Sequence, residues 1–309
     1  MAEPLVCFVG CGSICASHAK RLQGRVRMKF FSRSESSATT MNARLGGEGV
    51  YATFDSILED ENVDALIVTS PPIVHAEQVI GGLEAGKAVL VEKPLCLDRS
   101  ELEAVGRVRT DRLMVAENYD FKPSLRTLLS WIDSGKIGNL ERVRLRKCTK
   151  QAGEGWRSAH GALLEGGIHF VALMTSLVRS DTVDVQAEFP GLVDREPERH
   201  TSLEVTFGNG VTGELVYAWD TPSLTRGAFQ HSEIVGSEGR IVFESNGIYA
   251  MCLGRQHALK FPGLSDLMGY GAMMDAFLRL LQGEPSSSGY AKASQDLGIV
   301  MSAYEQLPQ

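Results

Sequence analysis

The sequence predicts an α/β protein: an N-terminal doubly wound parallel sheet, then a C-terminal α+β domain built on a large, mainly antiparallel open sheet. Three observations carry this. Short, nearly continuous apolar runs recur through the first 116 residues with helical patterns between them, as expected of strands buried on both faces. The first run ends in the glycine turn Gly10-Cys11-Gly12-Ser13-Ile14-Cys15 and leads into a helical pattern. Beyond Asn118 the apolar period shifts to two, the pattern of strands with one less buried face.

In order, the strand candidates are residues 5–9, 26–31, 65–69, 88–91 and 113–116. Helices are expected at 17–22, 38–45, 75–85 and 100–109, the last starting on a capping box at Ser100-Glu101-Leu102-Glu103. Alternating strands and helices give a parallel sheet covered on both sides. After Asn118 a helix is expected at 123–132 and alternating strands at 141–147, 183–188, 201–207, 211–219, 229–235 and 240–243. Asn209-Gly210 joins two of these as a hairpin and residues 236–239 join another pair. Helices at 265–281 and 291–304 close the chain, and no internal repeat is visible. The domains are read as 1–120 and 121–309.

With 309 residues, 43% hydrophobic and 22% charged, the chain can bury two cores. A net charge of −7 argues against a nucleic-acid-binding surface. No apolar run approaches the ~18 residues of a membrane span. Met1-Ala2-Glu3-Pro4 carries no basic region before its apolar stretch, so no signal peptide is expected and the cytoplasm is the expected compartment. The six cysteines fit reduced thiols there. Cys7, Cys11 and Cys15 fall on a strand, a turn and a helix and are expected to point different ways, so no metal site is read.

The turn residues carry chemistry. Gly10 permits a tight turn, Gly12 lets backbone approach a pyrophosphate, and Cys15 holds the third small position, where a helix lies close to a strand. The helix N-terminus at Ser13 and Ile14 offers N–H groups and partial positive charge to phosphates. Ligands of such sheets sit beyond the strands' carboxyl ends. These ends are Gly10, Ser32-Arg33-Ser34, Ser70-Pro71-Pro72, Glu92-Lys93-Pro94 and Asn118. The second strand ends without the acid that binds the ribose of NAD. Ser32, Arg33 and Ser34 suit the 2′-phosphate of NADP, so NADP is favoured over NAD. The alternative is a solvated Arg33, with Glu35 taking the ribose.

Lys93 is a candidate proton donor and acceptor, since partial burial or a neighbouring cation lowers a lysine pKa; the alternative is a surface lysine at a strand end. Glu165 and His169 are four apart, so on a helix they share a face as a carboxylate–imidazole pair; the alternatives are a helix salt bridge and a core histidine. The flanking glycines point to special backbone geometry. Trp156 and Arg157 could shape a pocket around a polar ring, or be a half-buried Trp beside a surface Arg. His75 lies near the cofactor or is an exposed first-turn residue. His18, His160, His200, His231 and His257 have no partner pattern and are read as structural. Tyr217 and Trp219 are read as core or subunit contact. No GxSxG, HExxH, Walker-type loop or paired CxxC occurs.

With these residues in place, the chain resembles the glucose–fructose oxidoreductase / inositol dehydrogenase / rhizopine-catabolism (Gfo/Idh/MocA) family over nearly its whole length. The markers are Gly10-Cys11-Gly12 with His18-Ala19, Ser70-Pro71-Pro72 with His75, Glu92-Lys93-Pro94, Trp156-Arg157, Gly161-Ala162-Leu163-Leu164 and Gly167-Ile168-His169. The resemblance implies a Rossmann domain, a C-terminal α/β domain whose open sheet forms a homodimer or homotetramer interface, and NAD- or NADP-dependent redox chemistry on hydroxyl and keto groups of sugars or cyclitols. It implies that Lys93 hydrogen-bonds the reacting oxygen, that His169 shuttles its proton, and that Trp156 and Arg157 approach the nicotinamide end. Glu165 stands where many members carry Asp, and Ala172 where many carry a second Asp. The alternatives are a glycosidase using transient NAD-dependent oxidation and a non-catalytic NADP-binding sensor.

Overall fold

The computed structural model describes residues 3–151, 159–194, 196–223, 225 and 227–307. Contacts divide the chain into two compact units: Met1–Glu117 with Tyr270–Ser294, and Asn118–Gly269 with Gln295–Gln309. The first unit is therefore assembled from two stretches of sequence, where the sequence reading gave residues 270–294 to the second domain.

In the first unit the order is β1 (Leu5–Val9), α1 (Ser13–Leu22), β2 (Arg27–Phe31), α2 (Glu35–Leu45), α3 (Asp55–Glu59), β3 (Ala65–Val68), α4 (His75–Glu84), β4 (Ala88–Val91), α5 (Arg99–Gly106) and β5 (Leu113–Val115). The strands form one parallel sheet in the order β2-β1-β3-β4-β5. Every residue of β1, β3, β4 and β5 is buried, which is why they read as unbroken apolar runs. The strand order reverses direction at β1, so the crevice beyond its carboxyl end is the switch point where ligands of such sheets bind. One expectation is corrected. Helix α5 is capped by Asp98, whose carboxylate accepts the Glu101 N–H at 2.9 Å, while Glu101 reaches back to the Leu97 N–H at 2.8 Å. The reciprocal cap thus begins two residues before Ser100, whose hydroxyl donates to Asp98.

In the second unit, α6 (Pro123–Asp133) and α7 (Ile168–Val178) accompany β6 (Leu140–Cys148), β7 (Thr182–Glu188), β8 (His200–Phe207), β9 (Thr212–Ala218), β10 (His231–Gly236), β11 (Gly239–Glu244), β12 (Ala250–Leu253) and β13 (Ala258–Lys260). They form an eight-stranded sheet ordered β13-β12-β11-β10-β6-β9-β8-β7, antiparallel except for β6 beside β9. One face buries Val143, Leu145, Leu203, Val205, Leu215, Ile234 and Ile241. The other carries a charge ladder, with Arg144 3.1 Å from Glu214 and 3.5 Å from Glu233, and Arg240 3.3 Å from Glu233.

The chain closes with α8 (Tyr270–Leu281), within the first unit, and α9 (Tyr290–Tyr304), whose residues divide at Ser294 and Gln295 between the two units. Met273, Met274, Phe277 and Leu280 give α8 its buried face. Ser288 ties to β5, its carbonyl accepting the Val115 N–H at 2.7 Å and its hydroxyl donating to the Val115 carbonyl at 2.9 Å. No helix among the described residues is long and apolar enough to cross a membrane.

Candidate functional site

In the first unit the glycine turn is built against the end of β3. Gly10 has φ +94°, and a Cβ there would lie 2.6 Å from the Ser70 amide nitrogen and 2.7 Å from the Thr69 carbonyl carbon. Only glycine fits. Its N–H donates to the Phe31 carbonyl at 2.8 Å and its carbonyl accepts from the Thr69 hydroxyl at 2.6 Å, so the turn is pinned to the ends of β2 and β3. Gly12 and Ser13 are exposed and Ile14 half-buried. Helix α1 starts with no capping side chain and no acid in its first turn. Its first N–H groups and the positive end of its dipole are thus left for an anion. This turn fits a dinucleotide pyrophosphate.

At the end of β2, Arg33 is exposed and has no ion-pair partner among the described residues. The Ser32 hydroxyl accepts the Ser34 N–H at 3.4 Å, and the Ser34 hydroxyl caps α2 through the Ser37 N–H at 3.4 Å. Among the described residues, the guanidinium is the polar group of this trio with no internal partner. Glu35 is exposed in the first turn of α2.

Ser70 and Pro71 are half-buried at the end of β3, the Ser70 hydroxyl donating to Gln78 at 2.6 Å. His75 requires a correction. Its ring is wholly buried, with Nδ1 2.7 Å from the Pro94 carbonyl and Nε2 2.8 Å from the Ser70 carbonyl. With no surface to offer a cofactor, it braces the ends of β3 and β4. Burial pushes its pKa down, against the pull of those two carbonyls.

Glu92 and Lys93 follow β4 and are half-buried. One Glu92 oxygen lies 2.7 Å from His18 Nε2 and the other accepts the Lys93 N–H at 3.2 Å. A carboxylate can only accept here, so Nε2 of His18 carries the proton. His18 is fully buried on α1, its ring edge-on to Tyr270 at 5.9 Å. The helix that follows the glycine turn is thereby tied to the backbone of Lys93. The sequence reading left His18 without a partner, because a contact across 74 positions has no local signature.

In the second unit Leu163–Gly167 forms one π-helical turn ahead of α7, the Ile168 N–H reaching back to the Leu163 carbonyl. Glu165 therefore lies in this wider turn and His169 in the first turn of α7, where the sequence reading expected one regular α-helix through both. Gly166 explains the glycines here: a Cβ would overlap the Tyr217 hydroxyl. The His169 ring is half-buried and stacks on Tyr119 at 5.0 Å and 16°. The Lys122 ammonium sits 4.0 Å from the centre of that same Tyr119 ring. Glu165 is buried. Its charge adds to burial in raising Tyr217, pushed up to about 12, and Tyr304.

The π turn is capped from far away in sequence. The Glu198 carboxylate accepts the Ala162 N–H at 2.6 Å, the Leu163 N–H at 2.8 Å and the Tyr304 hydroxyl at 2.8 Å; Tyr304 in turn accepts the Leu164 N–H at 3.0 Å. Burial raises the pKa of Glu198 against these hydrogen bonds. Sequence reading missed Glu198 and Tyr304, since neither lies near the motif they hold. Asn118 is also corrected. It is 2% exposed, and its amide donates to the Met268 carbonyl at 2.6 Å, anchoring a loop of the second unit. Trp156 and Arg157 lie outside the described residues.

Cys11 is half-buried with its Sγ 3.6 Å from the Phe31 carbonyl, while Cys7 and Cys15 are wholly buried. Among the described residues no group of three or more His, Cys, Asp or Glu is arranged to hold a metal ion.

Comparison with known proteins adds to this geometry. Residues 5–116 match the oxidoreductase family with NAD-binding Rossmann fold, and residues 125–242 match the GFO/IDH/MocA C-terminal domain. An inositol 2-dehydrogenase of Rhizobium meliloti (strain 1021) is 26% identical over 247 residues, covering 77% of this chain and 74% of that protein. A dTDP-3,4-didehydro-2,6-dideoxy-alpha-D-glucose 3-reductase of Actinomadura kijaniata is 30% identical over 218 residues, covering 68% of this chain and 64% of that protein. Among solved structures, an oxidoreductase from Agrobacterium radiobacter in complex with NAD+, L-tartaric acid and magnesium superposes with a TM-score of 0.86 at 17% identity, over 98% of this chain and 96% of that one.

Proposed function

The chain belongs to the Gfo/Idh/MocA oxidoreductase family, and from that premise we propose that it transfers a hydride between a nicotinamide cofactor and a hydroxyl or keto carbon of a sugar-like or cyclic polyol substrate. The observation that carries the reading is Glu92-Lys93 at the carboxyl end of β4, on the sheet edge that also holds the Gly10 turn at the end of β1. The substrate class draws support from the two relatives named for an inositol and a dTDP-sugar.

A bound nicotinamide supplies the hydride chemistry. The chain's part is to orient and to handle a proton. In this reading Lys93 hydrogen-bonds the reacting oxygen and His169 shuttles its proton, lost on oxidation and regained on reduction. Glu92 holds the Lys93 backbone, and Glu165 supplies the negative charge of the π turn. The uncapped start of α1 takes the pyrophosphate. Arg33 takes the 2′-phosphate, which makes NADP the favoured cofactor. The open face of the eight-stranded sheet is the proposed surface for a homodimer or homotetramer.

Lys93→Met tests the assignment in a turnover screen over polyols and keto sugars. Turnover is expected to vanish while NADPH binding stays nearly intact; substantial residual turnover rejects the role of Lys93. Sugar release without net change in NADPH absorbance would replace net oxidoreduction by glycoside cleavage through transient oxidation.

A further inference from the structure

The histidine assigned to proton transfer has an aromatic neighbour that the reaction leaves without a role. The terminal torsion of a histidine side chain is broad, so the plane of its imidazole is set by what packs against it. At His169 that packing is the ring of Tyr119, stacked at 5.0 Å and 16°, within the range of a parallel aromatic pair. Tyr119 is itself firmly held. It is buried, the Lys122 ammonium lies 4.0 Å from its ring centre, and Phe170, the next residue of α7, meets it at 5.3 Å and 56°. Its backbone belongs to the 3-10 turn Asn118–Phe121. Asp120 of that turn accepts the Ser176 hydroxyl at 2.7 Å, and Ser176 lies two turns along α7 from His169, on the same helical face. Asn118 is anchored to the Met268 carbonyl, and a Cβ on Gly269 would lie 2.7 Å from the Asn118 carbonyl oxygen and 2.8 Å from the Lys122 amide nitrogen. All of these residues belong to the second unit.

We propose that Tyr119, steadied by Lys122, is the positioning residue of His169, fixing the plane in which the imidazole exchanges its proton. This role rests on the reading above that His169 shuttles a proton; the stack does not. An imidazole gives and takes a proton through its in-plane nitrogens, never through its face. With one face laid on Tyr119, the ring cannot roll about its Cβ–Cγ bond without giving up the stack, so both nitrogens stay in one plane. A general acid or base works only with its nitrogen within hydrogen-bond reach of the reacting oxygen. A misplacement of about 1 Å can cost roughly a hundredfold in rate. Lys122 acts one step further back. It is buried, so it offers no surface to a substrate, and its ammonium holds the Tyr119 ring by cation–π attraction. The ring of Tyr119, not its hydroxyl, carries the positioning, which separates a phenylalanine from an aliphatic replacement.

The experiment compares Tyr119→Phe, which keeps the ring, with Tyr119→Leu, which removes it, in the full chain. The first readout needs neither substrate nor cofactor. It is the ring-proton resonance of His169, identified by its absence from His169→Asn and read at about pH 8.5, above the ordinary histidine range. The ring current of Tyr119 is expected to hold this resonance upfield in wild type and Tyr119→Phe, and Tyr119→Leu should release it downfield. The second readout is turnover of whichever substrate the screen returns. In Tyr119→Leu kcat is expected to fall about ten- to a hundredfold while KM and NADPH affinity stay within about twofold of wild type, and Tyr119→Phe should rescue most of the loss. Equal losses in the two variants would assign the effect to the hydroxyl and overturn the proposal. So would an unchanged kcat in Tyr119→Leu, or a loss carried by KM. Lys122→Met should move the resonance and lower kcat in the same directions by less; an unchanged resonance removes Lys122 from the stack. Tyr119→Met, whose flexible chain fills irregular space, takes the place of Tyr119→Leu if that variant does not fold. Turnover that survives in His169→Asn overturns the proton role of His169 and the positioning with it, while the resonance still decides whether Tyr119 holds the ring.

Discussion

Replacing Glu198 by alanine should destabilise the second unit by several kcal/mol. The carboxylate serves three donors, but they are not equally exposed to its loss. The Ala162 N–H also bonds the Glu198 backbone carbonyl at 2.9 Å, so it keeps a partner. The Leu163 N–H and the Tyr304 hydroxyl lose the acceptor they hold at 2.8 Å. Each orphaned buried donor costs about 1–3 kcal/mol, which gives roughly 2–6 kcal/mol before the relief of no longer burying a charge. Glu198→Gln keeps one acceptor oxygen but turns an amide toward the Ala162 N–H, for a loss of about 1 kcal/mol. The expected order of stability is wild type, then Gln, then Ala. Burial raises the Glu198 pKa above its unfolded value. The carboxyl's contribution is therefore fullest below its ordinary value near 4.5 and declines as pH rises through the folded value. The gap between wild type and Glu198→Gln should narrow over that rise. Urea unfolding followed by tryptophan emission is the assay, because all three tryptophans, Trp131, Trp156 and Trp219, belong to the second unit. An Ala variant within about 0.5 kcal/mol of wild type, the range of an ordinary surface change, would refute the cap.

Other outcomes follow from the first unit. Gly10→Ala forces a side chain into φ +94° and onto the Ser70 backbone, so it should lose about 1–3 kcal/mol of stability together with NADPH affinity; a normal urea midpoint would refute the close approach. Arg33→Ala should weaken NADPH binding by about ten- to a hundredfold, the worth of about 1.5–3 kcal/mol for charge-assisted hydrogen bonds, and leave NADH nearly unchanged; equal losses in a fluorescence titration would remove Arg33 from the 2′-phosphate. His75 has its pKa lowered by burial, so its contribution to stability is present above its unfolded value near 6.5 and is lost as pH falls below it. Wild type should therefore lose more stability than His75→Asn between pH 7.5 and 5.5, on about the scale of a histidine titration; parallel losses in chemical unfolding would show that the ring does not titrate on unfolding.

The parallel strands were legible because full burial on both faces forces unbroken apolar runs, as in Ala65–Val68 and Ala88–Val91. The strands Ala250–Leu253 and Ala258–Lys260 escaped the sequence because three or four residues are too few to establish a period. At the candidate site, Gly10 and Lys93 were readable from their place after a strand. His18 and Glu198 were not: each acts on a residue dozens of positions away, and a polar contact of that span imposes no local spacing. His75 and Asn118 show the converse failure. A polar residue at a strand end can face inward, and only its burial and its carbonyl partners tell brace from ligand contact.

The two-stretch build of the first unit bears on how the protein is made. A nascent chain that has emerged only to Glu117 has all five strands of the parallel sheet, yet the partner of Arg25, Asp275 at 2.7 Å, and the serine that closes the edge of β5 at Val115 are still unsynthesised. The apolar faces awaiting α8 stay wet until more than 150 further residues have left the ribosome, roughly ten seconds or more at typical elongation rates. A fragment cut after Glu117 would carry that same unsealed surface permanently, and should aggregate unless residues 270–294 are supplied as a separate peptide or fused behind it.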